Sequence, residues 1–137
     1  MSSRRRSREV ALQMLYGADI VDIAEQGDQG DDLFIESEET ISDTVREYAE
    51  EIARGTIDKS AEIDAMVESY SENWKVKRMP LVDRNILRLA VYELLYCPDT
   101  PYKVVIDEAI ELAKRFGSDK AAPFINGVLD RIHTEAS

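Results

Sequence analysis

Apolar side chains recur every three to four residues along most of the chain, the spacing of helices that bury one face. Val10, Ala11, Met14, Leu15 and Ala18 form a first stripe, and Ile41, Val45, Tyr48, Ala49 and Ile52 form a second that Gly55 is expected to end. A third runs through Ile57, Ile63, Met66, Val67 and Tyr70 toward Trp74. The glycine-bearing polar stretch from Gln26 to Asp32 reads as a solvated loop. Pro80 suits a helix start, and Ile86, Leu87, Leu89, Ala90, Val91, Leu94 and Leu95 then cover most of a helix circumference, the mark of a buried helix. Pro98 and Pro101 lack amide donors and must break it. Thr100 and Pro101 are expected to cap and start a further helix through Val105, Ile106, Ala109, Ile110, Ala113 and Phe116, closed near Gly117. The last helix carries Phe124, Ile125, Val128, Leu129 and Ile132; Pro123 forces it to begin only a few residues earlier, and Gly127 within it suits close helix packing. No period-two run demands a sheet, so the fold class is all-α, with three helices in each half of the chain.

At 137 residues and 44% hydrophobic content, residues 1–137 are expected to form one domain with a sizeable core. No apolar run reaches the roughly 18 residues of a membrane span, and the arginine-rich start does not suit a signal peptide, so a cytoplasmic protein is expected. One cysteine, Cys97, and one histidine, His133, leave no internal disulfide and no zinc cluster. Neither a P-loop nor a dinucleotide turn, HExxH or Gly-x-Ser-x-Gly is present. Glu108 and Glu111 lie one turn apart without a His, Lys or metal motif beside them, which suits a solvated face better than catalysis. The sequence points to no enzyme, no cofactor and no metal.

Charge changes the picture further. The net charge of −11 argues against indiscriminate binding to polyanions. Its distribution is uneven: residues 1–18 carry +3, residues 19–72 carry −15 and residues 73–137 carry +1. Any anion site is therefore focal, and the acidic segment from residue 28 to residue 51 discourages contact elsewhere or serves as a dock. Arg4, Arg5, Arg6 and Arg8 lie at the start of the first helix, where unpaired amides and the helix dipole favour an anion and guanidinium adds bidentate donors for phosphate. The alternative is a basic tail. Tyr16 and Phe124 can stack on unpaired bases or pack in the core, and periodicity does not separate these roles. Asp83, Arg84 and Arg88 interrupt an otherwise apolar helix; the arginines either meet a partner's carboxylates or are satisfied within the domain.

The runs RRRSREVALQMLY from Arg4 to Tyr16, WKVKRM from Trp74 to Met79, VDRNILRLAVYEL from Val82 to Leu94, PYKVVIDEAIELAKRFG from Pro101 to Gly117 and FINGVLD from Phe124 to Asp130 resemble, in order and spacing, the NusB family of transcription antitermination factors. The resemblance implies a compact bundle of about seven helices in two three-helix halves. It further implies binding to the single-stranded boxA element of nascent ribosomal RNA together with NusE, a small-subunit ribosomal protein, in a complex with other Nus factors on RNA polymerase, and no catalysis. By the same resemblance Arg4, Arg5, Arg6 and Arg8 match an arginine-rich RNA-binding motif, and Tyr16 and Phe124 match aromatic positions near it. Lys77 and Lys120 fall on the expected RNA path, and Asp83, Arg84, Arg88 and Tyr102 would face NusE. Two rivals share the fold: the accessory domain of a ribosomal RNA cytosine methyltransferase, disfavoured for a chain that stops at Ser137, and an interaction domain that never touches RNA, with a homodimer covering the arginine face.

Overall fold

The computed structural model describes residues 3–25, 41–72 and 74–136, which form six α-helices and one turn of 3-10 helix, with no strand among the described residues. The helices are α1 (Ser3–Glu25), α2 (Asp43–Asp58), α3 (Ser60–Tyr70), α4 (Leu81–Tyr96), α5 (Tyr102–Phe116) and α6 (Ala121–Ala136); the 3-10 turn spans Val76–Arg78. The all-α class is as expected, while the six helices among the described residues differ slightly from the expected count of about seven. The predicted loop from Gln26 to Asp32, and most of the acidic segment from 28 to 51 up to residue 40, lie outside the described residues.

Local chemistry sets the boundaries. The Ser42 hydroxyl accepts from the Val45 amide at 3.3 Å and caps α2, an arrangement that stabilises a helix start by about 1 kcal/mol. Pro80 and Pro101 stand immediately before α4 and α5; the expected Thr100 cap moves one residue on, to Pro101. Gly55 does not end α2, which runs on to Asp58. A Cβ at that position would collide with the Tyr92 ring, so this glycine admits an aromatic side chain of α4 against the α2 backbone.

Two apolar clusters hold the helices together, and α4 belongs to both. The larger joins Leu12 of α1, Ile63 and Val67 of α3, Ile86, Leu87 and Val91 of α4, Val105 and Leu112 of α5, and Ile125 and Leu129 of α6. The smaller joins Val10, Ala11 and Leu15 of α1 to Val45, Ala49 and Ile52 of α2, with Leu89 of α4 beneath them. The three-plus-three order holds along the chain, whereas in packing α3 lies with α4 and α6. Helix α1 thus buries two faces: Leu12 and Tyr16 are inside, while Met14 and Ala18 of the predicted stripe are exposed. Ile57, assigned by periodicity to the third stripe, sits at the end of α2 and is half exposed.

Candidate nucleic-acid interface

All four N-terminal arginines lie inside the first two turns of α1 rather than on a tail before it. Helical geometry turns successive residues by about 100°, so four arginines within five positions cannot share one environment. Arg4 lies over the Tyr48 ring at 3.5 Å from its centroid. Arg5, 44% exposed at its side chain, donates from Nε and Nη2 to the Glu108 carboxylate at 2.7–3.2 Å. Arg6 donates to Glu9 at 3.1 Å. Arg8 points inward, 5% exposed, and forms a fork with Glu93 at 2.7 and 2.9 Å. This burial removes Arg8 from the expected solvent-facing set: its guanidinium is used to hold α1 on α4.

The acids at this end of the molecule are as telling as the bases. Glu9 and Glu93 are buried, a costly state for carboxylates unless paired. Glu93 receives Arg8 and the Tyr48 hydroxyl, the latter at 3.1 Å. Glu9 receives Arg6 and Arg115. Burial, with Glu93 nearby, pushes the Tyr48 hydroxyl up to about 12, so it stays a donor. The hydrogen bond from Arg5 holds the Glu108 carboxyl below its ordinary range against the opposing effect of partial burial. Burial lifts the Cys97 thiol to about 11, with Glu93 and Glu51 adding to the effect, which leaves no thiolate near neutral pH.

Arg115 is the residue that sequence reasoning missed. It sits in the last turn of α5, 46% exposed at its side chain, and its pairing with Glu9 brings it to the arginine end of α1. The chain then turns and begins α6, where the Phe124 amide donates to the Lys120 carbonyl at 3.4 Å. Phe124 meets Trp74 edge to face with centroids 4.7 Å apart, and Lys77 follows Trp74 by three residues, exposed. Lys120 and Phe124 thus follow Arg115 across the α5–α6 turn, and the Trp74 contact brings the Phe124 ring to the segment that carries exposed Lys77. Tyr16 is only 8% exposed, so its ring lies in the core and not on a surface. The signal for Arg115 was a basic residue in the last helical turn, which the helix dipole alone explains.

The expected partner residues do not form one surface. Asp83 is buried and accepts from the Ser118 amide and hydroxyl at 3.0 and 2.7 Å, tying the start of α4 to the α5–α6 turn. Arg84 is buried too, bonded to Asp19 at 2.9 Å and to the Lys77 carbonyl at 3.2 Å. Arg88 forks onto Asp64 at 2.8 and 2.9 Å and reaches Asp19 at 3.1 Å. Satisfaction within the domain, one of the two alternatives for Arg84 and Arg88, is what the geometry contains. Tyr102 is exposed and stacked on His133 at 3.6 Å, at the opposite end of α5 from Ser118; fifteen helical residues at 1.5 Å each separate the two sites by roughly 22 Å.

No group of His, Cys, Asp and Glu suited to a metal ion occurs among the described residues, and none of their helices is long and apolar enough to cross a membrane. The family model described as the NusB family matches residues 5–134. A transcription antitermination protein NusB from Desulfatibacillum aliphaticivorans is 44% identical over 133 residues, covering 97% of this chain and 91% of its own. Among solved structures, T. maritima NusB superposes with a TM-score of 0.79 at 37% identity, covering 96% of this chain and 91% of that one. A crystal structure of the antitermination factors NusB and NusE in complex with dsRNA matches with a TM-score of 0.75 at 26% identity, covering 98% of each chain.

Proposed function

The chain belongs to the NusB family, and on that premise we propose that it is a transcription antitermination factor. Residues 1–137 would act as one RNA-binding helical unit in the cytoplasm, engaging single-stranded boxA RNA of nascent ribosomal transcripts together with NusE. With other Nus factors on RNA polymerase the assembly would oppose premature termination. The function is binding, with no catalytic step and no cofactor.

One observation carries the RNA contact: exposed Arg5 and Arg115 are gathered at the positive end of α1, with Lys120 and Phe124 following Arg115 at the start of α6. Both guanidiniums are held by carboxylates in the free chain, so a phosphate exchanges for Glu108 at Arg5 and shares Arg115 with Glu9, which is buried and keeps its partners, instead of meeting a bare cation. That exchange lowers the gain per contact. On single strands each neutralised phosphate contributes about −0.7 to the slope of log affinity against log salt. Arg4, Arg5, Arg6 and Arg115 together supply roughly −3 at most. Such a slope is small for a chain of net charge −11, which is the physical case for a partner.

The NusE contact is proposed for the exposed surface around Tyr102 and Val104 on α5, while Asp83, Arg84 and Arg88 act from within the bundle by holding the helices in register. Titration of labelled boxA RNA with and without NusE, beside a scrambled strand and a boxA duplex, tests the whole scheme. Tight binding only with NusE and only to the single-stranded boxA is expected. Equal affinity with and without NusE, or for the scrambled strand, would sink it.

A further inference from the structure

We propose that the cleft where α1, α4 and the α2–α3 junction meet is a socket for a primary ammonium on an alkyl stem. It is separate from the arginine end of the molecule, since Asp19 in its wall lies about 16 Å along α1 from Arg8 at 1.5 Å per residue. The cleft encloses about 300 Å³, the small end of the range for ligand pockets. Leu15, Ala18 and Ile57 line one side, and Asp19, Asn85 and Arg88 another. Ile57, half exposed and a member of neither apolar cluster, has its place as part of this apolar wall.

The polar floor is satisfied except at one atom. Arg84 Nε, Asn85 Nδ2 and Arg88 Nη1 all donate to Asp19 Oδ2, at 2.9, 2.8 and 3.1 Å. Among the described residues no donor is directed at Asp19 Oδ1. Both Asp64 oxygens are taken by Arg88, whose remaining nitrogen also reaches Asn85 Oδ1 at 3.2 Å. Arg88 therefore has no hydrogen left for a ligand, and Asp19 Oδ1 is the acceptor that the network leaves over. Burial works to raise the Asp19 carboxyl, but the hydrogen bonds from Arg84 and Asn85 outweigh it, so that oxygen is anionic at neutral pH.

The single open oxygen selects the ligand. A guanidinium binds a carboxylate through two parallel bonds and needs both oxygens, whereas an ammonium is a compact charge that can use one. The Thr56 hydroxyl, which donates to the Ile52 carbonyl at 2.6 Å, and the Ser60 hydroxyl also line the cleft and can accept further N–H bonds. An alkyl stem then lies on Leu15, Ala18 and Ile57, as long cationic side chains bury their methylenes elsewhere. Charge favours a cation over a neutral donor of the same shape. Arg84 and Arg88 offset Asp19 and Asp64 locally, but the cleft is built largely from the segment of residues 19–72, which carries −15. The base nearest in sequence to the junction, Lys59, does not fill this role, since its Nζ stands 5.5 Å over the Tyr96 ring.

The test titrates the isotope-labelled full chain with pentylamine, pentylguanidinium and pentan-1-ol, following the Asn85 side-chain amide signals by NMR. Pentylamine should bind about tenfold more tightly than the alcohol, the factor expected for one hydrogen bond to a charged group, with pentylguanidinium between them. Asp19→Asn should abolish the preference for the amine. Ala18→Leu, at an exposed helix position, should narrow the cleft and weaken pentylamine about tenfold with the melting temperature unchanged, which keeps the test valid if Asp19→Asn folds poorly. Two further probes separate the sources of the group: binding of a blocked Gly-Lys-Gly peptide assigns the socket to a partner protein's lysine, and binding of spermidine alone assigns it to a free polyamine. Equal binding of pentylamine and pentan-1-ol, or pentylamine binding unaltered in both variants, overturns the socket.

Discussion

Two arginine clusters lie along the same α1–α4 pair and have opposite characters. At one, Arg84 and Arg88 are enclosed by Asp19, Asp64 and backbone carbonyls, and their guanidinium nitrogens donate to acceptors inside the domain. At the other, exposure is graded: Arg8 is buried on Glu93, Arg6 is partly covered, and Arg5 with Arg115 stand nearly half exposed on their carboxylates. Both clusters carry acids close to their bases. Access separates a structural arginine from one that can change partners, since an exposed ion pair is screened and exchanges readily while a buried one cannot lose a member without stranding a charge.

The largest effect should come from the buried member of the exposed cluster. Arg8→Met leaves Glu93 unpaired in the interior and should destabilise the fold by about 3–5 kcal/mol in denaturant unfolding. Adding Glu93→Leu should recover most of that loss; a double variant as unstable as the single one would mean that Arg8 acts through something other than its charge. Next, Asp19→Asn removes the charge that serves both Arg84 and Arg88 and should cost about 1–3 kcal/mol, with RNA affinity unchanged. If RNA binding falls in step, the two clusters are not functionally distinct.

Acid should discriminate between them as well. Arg84 and Asn85 hold Asp19 below its ordinary value of 3.8, outweighing the larger single effect of its burial, and Arg5 holds Glu108 below 4.5. Depressed carboxyl values stabilise the fold above the unfolded-state values, and that stability is lost as the pH falls through the folded-state ones. Melting temperatures from pH 7 to pH 3 should therefore drop at the acidic end, and Asp19→Asn should flatten the drop more than Glu108→Gln, whose site is more exposed.

The smallest expected change is the most specific to binding. Arg5→Gln should leave the melting temperature where it is and reduce the salt slope of boxA binding by about 0.7. Glu108→Gln should do the reverse to affinity, raising it severalfold by releasing Arg5 to phosphate. An unaltered slope in Arg5→Gln would assign that arginine to the domain's own surface and erase the contrast with Arg84.

The sequence by itself determined the helical class, the helix order and the focal position of the basic charge, because each depends on spacing and on prolines acting within a few residues. It also carried the ordered motifs by which the family is recognised. What it could not decide was which face each side chain presents. Arg8 and Arg5 are three residues apart with the same chemistry, yet one meets Glu93 eighty-five positions away and the other meets Glu108. Tyr16 went inside because α1 is sandwiched between two cores, and Arg115 joined the site because α5 passes within side-chain reach of the start of α1. Gly127 read as a packing position until the space beside it proved open. Periodicity is a property of one helix, whereas burial and charge pairing are set by which helices meet, and only the tertiary structure decided that.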